Sequence, residues 1–361
     1  GFWLQLGLSG FRVDAVPFLL ETTGQQDAGQ LPDPHDYLAD LRAFLGRRSG
    51  EGVLLGEVNL PYVQTMAFFG SDRDELTMCF DFVGMQRLYL SLARGNAEPL
   101  AETLRERPQP PKDAHWATFV RNHDELTLDK LTDTQRQEVF EAFGPDPKMQ
   151  LYGRGLRRRL PTMLGGDRDR IRMVYSLLFS LPGTPVLFYG EEIGMGEALQ
   201  AEGRLAVRTP MQWSAERNGG FSTAEAAKLP GPMPGGEYGP QRLNVAAQER
   251  DPESLLSWIR LLIESYRACP ELAWGRYEVL DAGDAAVLAH RCDTEGGTVV
   301  AVHNFGAAAT RAKLKLAGLD TSCLLEDVLL DGSQRVAKDG SVTLELGRYG
   351  CRWLRVQRRR Q

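Results

Sequence analysis

The sequence has 361 residues, with 42 Lys+Arg against 48 Asp+Glu, a net charge of −6, and 42% hydrophobic and 25% charged residues. This ordinary globular composition excludes a disordered, collagen-like or coiled-coil chain, and a mildly acidic chain has no general electrostatic reason to bind nucleic acid. At ~100–200 residues per domain, the length suggests two domains, or one large α/β domain with an appendage.

In chain order, Gly10 to Val16, Gly52 to Val58, Thr77 to Phe82, Trp116 to Arg121 and Pro185 to Tyr189 read as short strands. Between and after them, Tyr37 to Arg47, Met85 to Leu104, Asp169 to Ser180 and Pro252 to Ala268 carry apolar residues at helical spacing. The alternation implies a parallel sheet. Two connections are too long for turns, at 125–166 and 191–251, and each follows a strand, where parallel β/α folds build their sites. Gly and Pro concentrate in the second, but Trp213, Phe221 and Tyr238 favour an ordered rim over a linker. From about Gly275 the pattern changes to seven strands separated by Gly/Asp turns, which reads as an antiparallel sandwich. The expected division is residues 1–270 for the α/β part and 271–361 for the sandwich.

The longest uncharged apolar run, Met173 to Gly190, is broken by Pro182, Gly183 and Pro185, and reads as helix, turn and strand instead of a membrane span. The basic runs Arg157-Arg158-Arg159 and Arg358-Arg359-Arg360 read as solvated charge. Five cysteines with no Cys-x-x-Cys pair suggest neither a disulfide framework nor a zinc site, and a cytoplasmic location is the default. His35 reads as part of a helix start, His115 precedes a strand, and His290 and His303 fall in the sandwich; none reads as a metal ligand.

Three carboxylates stand at strand ends. Gly10-Phe11-Arg12-Val13-Asp14 puts Arg12 and Asp14 on one side of an apolar strand, Leu54-Leu55-Gly56-Glu57 ends a second strand, and Phe119-Val120-Arg121-Asn122-His123-Asp124 ends a third. Each alone reads as a loop acid or helix cap. Together they shift the balance to chemistry, because charge at the end of a buried strand is costly unless it is paired or used. Two carboxyls, one ionised and one protonated, equip a site for displacement at an acetal carbon.

Gly10-Phe11-Arg12-Val13-Asp14-Ala15-Val16, Gly56-Glu57-Val58 and Arg121-Asn122-His123-Asp124 resemble three signature segments of the α-amylase superfamily, glycoside hydrolase family 13, in the right order. Pro182 to Gly194 resembles its eighth strand. The resemblance implies a partial (β/α)8 TIM barrel, about strands four to eight, followed by an antiparallel β-sandwich. It implies Asp14 as nucleophile, Glu57 as general acid and then base, and Asp124 as the acid that binds glucose hydroxyls. Arg12 would align Asp14, and His123 would bind the sugar. Within the superfamily, Arg121 to Leu128, the Arg157-Arg158-Arg159 segment and Val207-Arg208-Thr209-Pro210-Met211-Gln212-Trp213-Ser214 look most like trehalose synthases, with Arg208 either near the aglycone or bracing a loop. The run Val58-Asn59-Leu60-Pro61-Tyr62 departs from that pattern.

The implied activity is isomerisation of maltose to trehalose through a β-glucosyl-enzyme intermediate. The alternatives are an α-glucosidase or amylase-type hydrolase of small α-glucans, and a non-catalytic barrel fragment. No metal or other cofactor is expected in this chain, with calcium an option for a complete protein. Expected partners are a small α-linked glucose disaccharide or oligosaccharide, without nucleic acid or membrane, and either self-association or a completing N-terminal segment. With the nucleophile on strand four, about three β/α units of a ~250-residue barrel are not represented, and the chain alone is expected to be poorly active.

Overall fold

The computed structural model describes residues 1–19, 33–72 and 74–358, and Arg359 and Arg360 of the terminal basic run lie outside the described residues. The chain divides into two compact units, Gly1–Met85 with Glu106–Phe119, and Gln86–Arg105 with Val120–Gln361.

In the first unit four parallel strands, β1 (Gly10–Val13), β2 (Val53–Gly56), β3 (Met78–Phe80) and β4 (His115–Phe119), lie side by side in that order. β1 and β2 are shorter than their apolar runs, which continue past the last ladder bond into the turns that carry Asp14 and Glu57. Gly10 is required where β1 meets β2: a Cβ there would stand 2.3 Å from the Val53 carbonyl oxygen. Helix Pro34–Arg48 covers the sheet, as a parallel sheet requires. Asp33 caps it by accepting the His35 N–H at 2.9 Å, and Pro34 stands in the first turn, where a missing N–H costs nothing. Its Leu38 and Leu45 pack with Leu54, Phe69, Leu76 and Trp116 in one apolar core.

The apolar spacing over Met85 to Leu104 predicts one helix, and the chain instead forms two, Phe82–Arg94 and Glu98–Glu106. Gly95 at φ +61° ends the first, and the Asn96 side-chain oxygen accepts the Glu98 N–H at 2.8 Å to start the second.

The second unit opens with a small antiparallel sheet of β5 (Leu126–Thr127), β6 (Gln150–Leu151) and β7 (Gly155–Leu156), in the order β5-β7-β6. The connection at 125–166 thus has structure of its own, including helix Asp133–Phe143, whose Thr132 and Gln135 form a capping box. Helix Arg168–Ser180 follows, then β8 (Thr184–Val186), a series of 3-10 turns through the second long connection, and helix Leu255–Ala268. The second connection is ordered, as its aromatic residues suggest.

The C-terminal strands are β9 (Arg276–Leu280), β10 (Val287–Thr294), β11 (Gly297–Asn304), β12 (Thr310–Lys315), β13 (Cys323–Asp327), β14 (Ser333–Arg335), β15 (Ser341–Leu346) and β16 (Cys351–Arg358). Six form one sheet in the order β14-β13-β16-β11-β10-β9, and β12 pairs with β15 in the other. Leu314 and Leu344 of the small sheet share a core with Val300, Leu325 and Leu354 of the large one. Only β14, short and exposed, escapes the sequence reading. The architecture is a partial (β/α)8 barrel followed by an antiparallel β-sandwich. Among the described residues no helix is long and apolar enough to cross a membrane.

One buried charge pair anchors the first unit. Asp81, directly after β3, accepts from Arg107 Nη1, the Tyr62 hydroxyl and the Gly84 N–H, each at 2.8 Å, and both Asp81 and Arg107 are buried. Removing one partner leaves the other charge uncompensated. Asp81→Ala is therefore expected to lower unfolding stability by about 3–5 kcal/mol in urea titrations, and an unchanged midpoint would contradict the anchoring role.

Candidate active site

The first unit brings together Arg12, Asp14 and Glu57. The β1–β2 register pairs Val13 with Gly56, so the next residue on each strand, Asp14 and Glu57, leaves the same end of the sheet. The Glu57 N–H donates to the Val13 carbonyl at 3.0 Å and the Val16 N–H to the Glu57 carbonyl at 3.1 Å, so the ladder fixes both turns. Between them Ala15 takes the left-handed conformation, φ +42°, an uncommon one for a residue with a side chain. That turn aims the Ala15 N–H at Glu57 Oε2, 3.3 Å away.

Arg12 divides its guanidinium between the two acids: Nη1 donates to Asp14 Oδ1 at 2.7 Å and Nη2 to Glu57 Oε2 at 2.5 Å. Their environments differ sharply. The Asp14 side chain is 76% exposed and that of Glu57 19%. Burial pushes the Glu57 carboxyl above its ordinary 4.5; Arg12 and the Ala15 N–H pull it down, and neighbouring Asp14 pushes it up. One acid is open to solvent and one is sheltered, with protonation favoured on the sheltered one.

The second unit brings together His123, Asp124 and Arg208. The Asn122 side-chain oxygen accepts the Asp124 N–H at 3.0 Å, closing a tight local turn. Arg208 donates from Nη2 to Asp124 Oδ1 and from Nε to the His123 carbonyl, both at 2.7 Å. The Arg208 side chain thus braces this loop and touches its acid as well. His123 Nε2 stands 3.9 Å from Asp124 Oδ1. The structure adds Arg204, which the sequence reading missed: Nη1 pairs with Asp124 at 3.0 Å and Nε with Glu125 at 2.6 Å.

The expectation that Arg157-Arg158-Arg159 is solvated charge is overturned. Arg159 is 1% exposed; it donates to the carbonyls of Tyr189 and Val207, and its guanidinium stacks over the Phe188 ring. Arg158 pairs with Glu197 at 2.9 Å, and Arg157 donates to the carbonyls of Leu199 and Ala201. The three arginines hold the two long connections of this unit to each other. Buried Arg121 does the same for the Asp124 loop, donating to the Asp124 carbonyl at 2.7 Å and to that of Arg158 at 2.8 Å.

Glu191 lies beneath these loops, fully buried. Its Oε2 accepts the Phe188 N–H at 2.8 Å and its Oε1 the Tyr175 hydroxyl at 3.3 Å. Burial drives its pKa up to about 7, against the pull of the Phe188 N–H, Arg159, Arg121 and Tyr175. Among the described residues no group of three or more His, Cys, Asp or Glu side chains is placed to hold a metal ion.

Residues 1–142 and 156–275 match the family described as "Alpha amylase, catalytic domain", and residues 296–355 match "Sucrose hydrolase-like, C-terminal domain". The chain is 39% identical over 312 residues to a trehalose synthase/amylase of Mycobacterium tuberculosis, covering 84% of this chain and 51% of that protein. It is 41% identical over 307 residues to a trehalose synthase of Thermus thermophilus, covering 84% of this chain and 32% of that one. The chain thus spans about half or less of these relatives' length. In fold it resembles the α-amylase from H. orenii, with TM-score 0.71 and 20% identity over 99% of this chain and 62% of that one. It also resembles the trehalulose synthase MutB from Pseudomonas mesoacidophila MX-45, with TM-score 0.66 and 22% identity over 99% and 66%.

The raised pKa of Glu191 has a consequence for stability. Between its ordinary 4.5 and about 7 the folded chain keeps a proton there that the unfolded chain has released, so this group's contribution is fully present below pH 4.5 and is lost as pH rises through 7. Glu191→Gln removes that loss. Urea unfolding from pH 4.5 to 8 should show the variant gaining on the native chain up to about pH 7 and then holding level, by on the order of 3 kcal/mol at most. A difference independent of pH would contradict the assignment.

Proposed function

Because the chain belongs to the α-amylase family, we propose that it carries out retaining glucosyl transfer and converts maltose to trehalose. The observation that carries the reading is the Arg12 fork, which holds an exposed acid and a sheltered acid of raised pKa side by side. The Asp14 carboxylate attacks C1 of the non-reducing glucose while Glu57 gives its proton to the glycosidic oxygen, releasing glucose and leaving a β-glucosyl ester on Asp14. Glu57, now a carboxylate, takes the proton of the freed glucose's anomeric hydroxyl, and that oxygen attacks C1, breaking the ester bond and releasing Asp14 as a carboxylate, to give the α,α-1,1 linkage. In this scheme Asp124 binds sugar hydroxyls and stabilises the oxocarbenium-like transition state, assisted by His123 and Arg208.

Isomerisation requires that glucose outcompete water for the ester, which depends on a closed site. The arginine ties that join the two long connections support the transfer reading over hydrolysis. Chromatography of products after feeding maltose tests it: trehalose with some glucose is expected, and glucose alone points to an α-glucosidase.

Two kinetic outcomes follow. Glu57→Gln should lower kcat by roughly 10²–10⁴-fold while leaving maltose binding largely in place. Since Glu57 must enter the first step protonated, kcat/KM falls as pH rises through its pKa. Arg12 pulls that pKa down, so Arg12→Gln should move the alkaline limb to higher pH, besides lowering the rate. An unmoved limb would detach Glu57 from the acid role.

A further inference from the structure

The second unit holds a cavity of about 270 Å³ where the C-terminal ends of its two long connections meet. Pro161 and Gly166 line it from the first connection, and Tyr238, Leu243 and Gln248 from the second. Its floor is apolar. Ile171 and Ile193, both buried, line it, and the Tyr238 ring is pinned by its hydroxyl, which donates to the Pro161 carbonyl at 3.3 Å. The uncharged polar groups of the wall are spent on the fold: Gln248 donates to the Ile193 carbonyl at 2.7 Å and accepts the Leu256 N–H at 3.0 Å, and the Ser254 hydroxyl donates to the Gln248 carbonyl at 2.8 Å. A ligand that fills this space gains from burying carbon and not from hydroxyl contacts.

The mouth carries charge of both signs, and the two are held differently. Arg168 and Arg172, one turn apart on helix Arg168–Ser180, both donate from Nη2 to the Glu253 backbone carbonyl, Arg172 at 2.7 Å. The Arg172 guanidinium also lies over the Trp258 ring, 5.4 Å from its centre, and its Nε–H has no hydrogen-bond partner among the described residues. The Glu253 carboxylate is held loosely. Its side chain is 72% exposed, and it reaches the two guanidiniums only at 3.5 and 3.6 Å, against ~2.7–2.9 Å for a well-formed charge-assisted bond. An exposed pair of that length contributes little, so displacing the carboxylate costs little. The neighbouring acids are engaged: Asp251 accepts the Glu253 N–H at 2.9 Å, and Asp167 caps the helix and pairs with Arg348. Fixed cations and a displaceable acid above an apolar floor suit an anion with an apolar body, and oppose a cation.

We propose that this cavity binds an aliphatic monocarboxylate, its head replacing the Glu253 carboxylate between Arg168 and Arg172 and its chain lying along Ile171, Ile193 and Leu243. At about 270 Å³ the cavity falls below the ~300–1,000 Å³ of drug-sized sites, which limits the chain to about six to eight carbons. Bound there, the acid ties the end of the first long connection to that of the second. The proposal is independent of the glucosyl-transfer reading and uses none of its residues.

Isothermal titration of the native chain with butanoate, hexanoate and octanoate tests it, with 1-hexanol and hexylamine presenting the same chain without charge and with the opposite charge. Hexanoate should bind at one site per chain, about tenfold more tightly than either control, and each added pair of methylenes should tighten binding about tenfold until the cavity is full. Arg168→Gln, at an exposed position, should weaken hexanoate about fivefold, and Leu243→Trp, which fills the floor, should abolish binding. Hexanoate should also raise the thermal midpoint of the native chain but not that of Leu243→Trp. Equal affinity for hexanoate and 1-hexanol makes this a plain apolar slot and overturns the proposal. Tighter binding of hexylamine, unchanged affinity in Arg168→Gln, or no saturable binding of any carboxylate overturns it as well. If Leu243→Trp does not fold, the head-group series and Arg168→Gln decide alone.

Discussion

A single guanidinium, that of Arg12, holds the two acids on which the chemistry turns. Without it, Asp14 and Glu57 would be two neighbouring carboxylates whose mutual repulsion is relieved only by sharing a proton in no fixed place. With it, one acid stays exposed and paired, while burial raises the pKa of the other against the pull of Arg12. The backbone enforces the arrangement: Gly10 lets β1 approach β2, the Val13–Gly56 register sets the level, and the left-handed turn at Ala15 supplies an N–H to Glu57. Strain at Ala15 is thus localised beside the functional group that it orients.

The second unit uses arginine differently, as a donor to backbone carbonyls. Arg121, Arg157, Arg159 and Arg208 bond to the carbonyls of His123, Asp124, Arg158, Tyr189, Leu199, Ala201 and Val207. A planar fork with five donors can satisfy several loop carbonyls at once, which lysine cannot. Glu191 lies among two of these buried cations, Arg121 and Arg159, and burial nonetheless raises its pKa to about 7. These bonds tie the long connections to the Asp124 loop.

The parts legible in the sequence are those whose meaning is local. Arg12, Asp14 and Glu57 stand at the ends of apolar runs, and the strand period alone puts Arg12 and Asp14 on one side. The alternation of strands and helices, and the change to an all-strand pattern after Gly275, likewise come from short-range periodicity. What escaped was non-local or too short. The partners of Arg157, Arg158 and Arg159 lie about forty residues further on, so a run of three cations looks solvated until the loop folds back. Arg204 has no local mark of its own, and only its bonds to Asp124 and Glu125 give it meaning. The strands β5, β6 and β7 have two residues each, below the length at which alternation can be read. The helix break at Gly95 hides because the apolar spacing resumes in phase, although Gly95-Asn96 is a stop and a cap in succession.

The account's central claim is that Asp14, held by Arg12 beside Glu57, forms the covalent bond to glucose. Incubating the chain with an activated fluoroglucoside, whose ester hydrolyses slowly, and mapping the labelled peptide by mass spectrometry tests this directly. The claim requires one added fluoroglucosyl group on Asp14, absent from the Asp14→Asn chain. Label on another carboxylate, or turnover of the reagent by an Asp14→Asn chain at the native rate, would contradict it.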